Sequence, residues 1–333
     1  NKPFLFEDFA NLNIIGQSKP FIDVLKRVRK VAAYDIAVSI FGETGTGKEL
    51  IARAIHYFSP RSKYPFIPVN CGSLPDTLFE NEMFGHESGA FTDARTSQAG
   101  LIAQAERGTL FLDEIEALPL SAQTTLLRFL QDKQYRILGG DSMKTADVHI
   151  VAASNENLPH LCDQHLFRQD LYFRLNVMPV TLPPLRAREG DIPLLVDYFI
   201  RRLRICYGQP ARKLHPSAME RITQYDWPGN IRELENVIHR AFLLTDDDTI
   251  RIKHLQISDE QTFDAYNETD TMCDVPFNEA KALAVADFEK HYLEELMSLS
   301  EGNISQAATH AGKERRSLGK LLKKNSINPQ DFK

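Results

Sequence analysis

Residues 42–48 read Gly-Glu-Thr-Gly-Thr-Gly-Lys, a spacing that can cradle a polyphosphate. Gly42, Gly45 and Gly47, with Glu43, Thr44 and Thr46 between them, form a turn whose backbone N–H groups can converge on one anion, and Lys48 can reach the outer phosphates. The context suits the motif, because an apolar β-branched run at 36–41 precedes it and a helical pattern follows from Leu50. This chemistry points to a nucleoside triphosphate. The residue after the lysine is Glu49, where Ser or Thr ordinarily serves magnesium, so a plain small-GTPase or kinase reading loses weight. Further along, the hydrophobic run 108–112 ends in Asp113-Glu114. Neighbouring residues on a strand point in opposite directions, so Asp113 can organise magnesium (Mg2+) while Glu114 polarises an attacking water. Alone, a glycine-rich turn can lack a ligand and a pair of acids can be a solvated strand end; together they favour nucleotide hydrolysis.

These groups need strands that end side by side. Short apolar runs at 36–41, 66–70, 109–112 and 148–153 alternate with helical patterns at 50–56 and 122–130, which predicts an α/β fold with a mostly parallel sheet. Prolines at 179, 183, 184 and 193 mark the later joints. Beyond them the pattern becomes purely helical at 192–205, 217–224 and 230–244, which reads as a helical lid on the sheet.

With 333 residues and an apolar fraction of 43%, the chain is long enough for several ordinary cores. It has no run of 18 apolar residues and no signal-peptide succession, which excludes a helical membrane span and predicts a cytoplasmic protein. Cys71, Cys162, Cys206 and Cys273 form no CxxC pair, arguing against a disulfide framework or zinc site. The chain opens Asn-Lys-Pro without methionine, as expected of a fragment or processed product. The net charge of −6 conceals an asymmetry: 256–277 holds six acids and no base, whereas 303–333 carries seven Lys/Arg against two acids. The expected organisation is a core at 1–180, a lid at 181–255, an acidic linker at 256–278 and a basic helical domain at 279–333.

That last domain has the periodicity of a helix-turn-helix. An amphipathic helix at 280–299 is followed by Asn303 as the cap of a second helix through His310, a turn at Gly312, and a basic helix at 314–324 with Leu318, Leu321 and Leu322 facing inward. Arg315, Arg316, Lys320, Lys323 and Lys324 are positioned to meet double-stranded DNA, although such cations on a helix are often only solvated charge. Gly319 costs that helix about 1 kcal/mol against alanine.

From residue 9 to about 244 the chain resembles the AAA+ domain of bacterial enhancer-binding proteins, the NtrC-like activators of sigma-54 RNA polymerase. The likeness rests on GETGTGKE at 42–49, NEMFGHESGAFTDA at 81–94, GTLFLDEI at 108–115, FRQDLYFRL at 167–175, LPPLRARE at 182–189 and WPGNIREL at 227–234. Glu49 matches this family. The resemblance implies an ATPase that assembles from dimer to hexamer, with sites between subunits. It implies phosphate contacts for Lys48, Mg2+ for Asp113, the water for Glu114, a switch role for Asn70, a first sensor at Asn155 and a second at Arg232. Arg168 and Arg174 resemble arginine fingers acting in trans, worth roughly 10³–10⁵ in rate in other NTPases. Ile15 and Gly16, following Ile14, would line the adenine pocket, and the tail resembles a Fis-type DNA-binding domain. The resemblance also implies an N-terminal regulatory domain, often a phosphorylated receiver, ahead of this chain.

Two departures stand out. The family's sigma-54-contacting loop reads Gly-Ala-Phe-Thr-Gly-Ala; here it is Gly89-Ala90-Phe91-Thr92-Asp93-Ala94. Asp93 removes a residue that freely takes positive φ and adds a charge at the tip. The family's Gly-Arg-Phe-Glu is Gly100-Leu101-Ile102-Ala103 here. Two functions therefore stay open. One is an ATP-driven remodeller of sigma-54 RNA polymerase holoenzyme. The other is a transcription activator that uses the AAA+ fold for oligomerisation controlled by nucleotide or cyclic di-GMP, acting with a different polymerase form.

Overall fold

The computed structural model describes residues 8–9, 11–75, 78–90, 96–210, 212–245, 247–255 and 257, and in the tail 292–293, 296–298, 300, 302–313, 315–324, 327 and 330. The loop positions Phe91, Thr92, Asp93 and Ala94, most of the helix expected at 280–299, and Glu314 lie outside them. The chain divides into two compact units, Asn1–Gln256 and Ile257–Lys333.

The first unit is built on five parallel strands: β1 (Val38–Phe41), β2 (Phe66–Asn70), β3 (Thr109–Asp113), β4 (His149–Ser154) and β5 (Met178–Thr181), in the spatial order β2-β3-β4-β1-β5. Side chains alternate between two cores, as a pleated strand requires. Leu110, Leu112, Ile150 and Ala152 face one core, completed by α3 (Leu120–Asp132) and α4 (Gln169–Leu175). Phe111, Val151, Val38 and Ile40 face the other, covered by α1 (Lys19–Val31) and α2 (Lys48–Phe58). Both faces being buried explains why these strands read as continuous apolar runs.

The four strands expected from sequence are present within two residues of their expected ends. The fifth, β5, is not among them, because Pro179 there reads as a joint. It sits at the sheet edge, where a proline's missing N–H breaks no ladder bond, and Pro68 occupies the opposite edge strand, β2. The lid is α5 (Asp191–Tyr207), α6 (Pro216–Gln224) and α7 (Asn230–Leu244). It is not purely helical, since Lys213–Leu214 pairs in parallel with Thr249–Ile250. Its centre is Trp227, fully buried, with its indole N–H donating to the Ile222 carbonyl at 2.8 Å.

In the second unit, α8 (Ile304–His310) starts at Asn303, whose side-chain oxygen accepts the N–H groups of Ser305 and Gln306. A turn through Gly312 leads to α9 (Arg315–Lys324), which buries Leu318 and Leu322 and packs Leu321 at the margin of the same small core. Among the described residues, no helix is long and apolar enough to cross a membrane.

Candidate nucleotide site

Because every strand of the large sheet runs the same way, their carboxyl ends open on one edge, and the sequence-predicted groups gather there. The loop 42–47 leaves β1, Asn70 ends β2, Asp113 ends β3 and Asn155 follows β4. Lys48 is buried, and its Nζ donates to the carbonyl oxygens of Gly42 (2.8 Å) and Glu43 (3.2 Å). Burial pulls its pKa down, while the nearby Asp113, Glu116 and Glu114 carboxylates pull the other way. Burial likewise raises Asp113. Asp113 Oδ1 accepts the N–H of Glu114 at 3.1 Å, and Glu114 sits at φ 53°, a conformation costing a non-glycine residue on the order of 1 kcal/mol. That backbone sets the direction in which the Glu114 side chain leaves the chain.

Asn70 pairs with Asp113 in the β2–β3 register, and its Oδ1 accepts the Ser73 N–H at 3.0 Å. Gly72 lies between the two candidate partners: a Cβ built there would stand 2.7 Å from Glu114 Oε2 and 3.3 Å from Asn70 Oδ1. Asn155 is tied by its N–H to Glu116 Oε1 at 3.2 Å, while Glu116 Oε2 is buried without a hydrogen-bond partner. Glu49 points away, pairing with Arg53 at 2.7 Å.

The lid closes on the phosphate loop directly. Asn230 Nδ2 donates to the Thr44 carbonyl (3.0 Å) and Glu43 Oε2 (3.1 Å), and the Ile231 N–H donates to the Gly45 carbonyl (3.0 Å). Gly45, at φ 79°, permits this approach: a Cβ there would lie 2.2 Å from the Gly229 carbonyl oxygen and 3.1 Å from Arg232 Cβ. Arg186 pairs with Glu43 through both guanidinium ends, and these bonds with Asn230's hold the Glu43 carboxyl down at about 2. Beside Thr46 and Gly47 opens a mainly apolar cavity of about 190 Å³ lined by Ile14, Ile15, Leu50, Leu182, Tyr198 and Ile231, with Arg188, Arg202 and Glu235 also on its walls. Its size and walls suit a planar base.

Other expected residues lie elsewhere. Arg168 pairs with Asp170 at 2.7 Å, and Arg174 donates to the Leu130 carbonyl at 2.9 Å beside Asp35, Ile36 and His149, at the amino end of β1 and β4. Neither lines the cavity next to the phosphate loop. Of the partner loop, Gly89 and Ala90 are described; the Ala90 N–H donates to the Glu87 carbonyl, and Ala90 packs against Gly139 of the 137–142 turn. Arg315, Arg316, Lys320, Lys323 and Lys324 are all exposed along α9. Sequence reasoning missed Arg186, Arg188, Asp191 and Asn230. All four fall in or beside the quoted LPPLRARE and WPGNIREL stretches, but only burial and long-range bonding give them roles.

The fold and this edge define an AAA+ P-loop NTPase. The Sigma-54 interaction domain matches residues 14–181, and the AAA+ ATPase lid domain matches 186–270. The chain is 40% identical to the nitrogen fixation protein VnfA of Azotobacter vinelandii, over 99% of this chain and 62% of that protein. It is 41% identical to the regulatory protein AtoC of Escherichia coli, over 96% of this chain and 69% of that one. Among solved structures, NtrX from Brucella abortus in complex with ATP aligns with a TM-score of 0.69 at 33% identity, over 94% of this chain and 69% of that chain. The chain therefore belongs to the Sigma-54 interaction domain family of AAA+ ATPases. It spans about 62% of the length of VnfA.

Proposed function

We propose that this chain binds and hydrolyses ATP in a homo-oligomeric ring in the cytoplasm, and spends that energy on sigma-54 RNA polymerase at promoters held by its basic tail. The observation that carries this reading is the meeting of Lys48, Asp113, Glu114, Asn70 and Asn155 on one sheet edge, beneath a lid bonded to the phosphate loop. The relative NtrX has been crystallised with ATP and with ADP.

The oxygen-rich end of β3 fits a hard divalent cation: Asp113 lies beside Lys48, and Glu116 keeps an oxygen unpartnered. Magnesium held by Asp113 would offset charge on the phosphate oxygens. Lys48 exchanges the Gly42 and Glu43 carbonyls for phosphate oxygens on binding. Glu114 orients the attacking water and takes up its proton, and Asn70, across Gly72, restrains Glu114 until the ring engages its partner. Arg168 and Arg174, both away from their own subunit's cavity, are in keeping with guanidinium groups offered to a neighbour's γ-phosphate. The exposed cations of α9 meet the phosphates and base edges of DNA.

Asp93 supports a second reading, in which the fold serves oligomerisation under nucleotide or cyclic di-GMP control and another polymerase form is the partner. Capture of purified sigma-54 in the presence of ADP and aluminium fluoride, with Asp93→Gly alongside, separates the two. Stable capture by the unaltered chain supports remodelling; capture by the glycine variant alone favours the second reading.

A further inference from the structure

One ion pair lies deep between the lid and the segment preceding α1. Arg188 and Asp191, in and just after the turn that opens the lid, are almost wholly buried, with 2% and 0% of their side chains exposed. Asp191 Oδ1 accepts the N–H groups of Gln17 (2.6 Å) and Ser18 (2.9 Å), while Oδ2 accepts the Ser18 hydroxyl (2.9 Å) and Arg188 Nε (2.8 Å). Arg188 Nη2 donates to the Ile15 carbonyl at 2.7 Å, and its guanidinium lies 3.6 Å above the Phe21 ring. Gly16 leaves room for this approach: a Cβ there would stand 2.5 Å from Arg188 Nη2 and 2.6 Å from Asp191 Oδ2.

A buried ion pair is a poor device for stability, since desolvation consumes most of its Coulombic gain, but a good one for fixing register. Here the register concerns the walls of a single cavity. Ile14 and Ile15 form one wall; Tyr198 and Ile231, from the lid, form the other. The clasp ties the first wall to the lid at positions 173 residues apart. The phosphate loop makes no bond to it. Phosphate contacts come from the 42–48 backbone and Lys48, whose lid bonds run through Arg186, Asn230 and Ile231 instead.

We propose that Arg188 and Asp191 are positioning residues for the nucleobase, setting the gap between the Ile15 wall and the lid so that a purine is gripped there independently of its phosphates. The proposal rests on the nucleotide-site reading above and assigns the base end of that site to the lid.

The test uses the full chain and two probes, ADP and inorganic pyrophosphate, titrated calorimetrically against Arg188→Lys, Asp191→Asn and Ser18→Ala, with Ser18→Thr as rescue. Arg188→Lys keeps the charge but cannot bond Asp191 and Ile15 together, and is expected to weaken ADP about 10- to 100-fold, the equivalent of one or two hydrogen bonds. Ser18→Ala, which removes one hydroxyl and leaves the fold intact, is expected to weaken ADP about 3- to 10-fold, with Ser18→Thr restoring it. Pyrophosphate affinity should hold in every variant, and KM for ATP should rise with kcat kept. A merely structural pair would lower the melting temperature without separating the probes. Equal weakening of ADP and pyrophosphate, or no change in ADP for a folded Ser18→Ala, overturns the clasp. An unaltered chain that bound neither probe would overturn the nucleotide site itself, and the clasp with it.

Discussion

Asn230→Ala tests whether the lid rests on the phosphate loop as described. Asn230 is fully buried at φ 53°, a left-handed conformation that asparagine tolerates and alanine does not. Its Oδ1 accepts the Leu185 N–H at 2.8 Å, and its Nδ2 serves Thr44 and Glu43. Removing the amide leaves a buried N–H unpaired, at about 1–3 kcal/mol, and frees two acceptors at the loop. The backbone adds about 1 kcal/mol for alanine in that conformation. A total of about 3 kcal/mol corresponds to a melting temperature lower by roughly 6–12 °C for a domain of this size. Differential scanning fluorimetry reads it directly, and Asn230→Gly separates the contributions: it relieves the backbone and keeps the bond loss, so it should recover about a third of the shift. ADP affinity should fall in both variants, because Thr44 loses its side-chain bond to the lid and Glu43 keeps only its pairing with Arg186. A melting temperature within about 1 °C of the unaltered chain, with ADP affinity intact, would mean that Asn230 does not hold the lid on the phosphate loop.

Other outcomes follow from the same geometry. Glu114→Gln should abolish turnover while ADP and ATP still bind, checked by phosphate release beside calorimetry; hydrolysis at the normal rate would remove Glu114 as the base. Arg168→Ala should lose about 10³-fold or more in hydrolysis, and mixing it with Glu114→Gln subunits should restore activity at those interfaces that pair an intact Glu114 with an intact Arg168. Burial holds the His149 and His56 imidazoles below their ordinary 6.5, so the unfolded chain takes up protons first as pH falls. Stability should therefore decline from about pH 6.5 downward and level off once the folded rings titrate, seen as a lower urea midpoint at about pH 5.5 than at about pH 7.5. Arg315→Ala with Arg316→Ala should weaken DNA binding, and every arginine that neutralises a phosphate should, on removal, flatten the salt dependence by about 1 in slope.

Much of the site was legible because its motifs are local. Three glycines and a lysine at fixed spacing need only a strand before and a helix after, and both are written in adjacent residues. The strands at 109–113 and 149–154 declared themselves as apolar runs because both sheet faces are covered there. Strand β5 was hidden because Pro179 is a breaker in the middle of a sheet and harmless at its edge, and edge or middle is a property of topology. Arg186 and Arg188 stand two residues apart in one motif, yet one reaches the phosphate loop and the other the Ile15 carbonyl. Nothing in their residue type separates an exposed pairing from a buried one.

Residue order alone carries what depends on neighbours along the chain: the phosphate loop, the alternating strands and helices, the Asn303 cap, the basic stripe of α9. These follow from backbone freedom, side-chain period and short-range hydrogen bonding, which act over a few residues. Tertiary structure decided which chain ends share the sheet's carboxyl edge, that Asn230 seals Thr44 from 186 residues away, and that Asp191 takes Ser18 from 173 away. Those pairings carry no local signal, because their energy comes from burying polar groups together once the sheet and lid have packed, and packing is set by the whole chain at once.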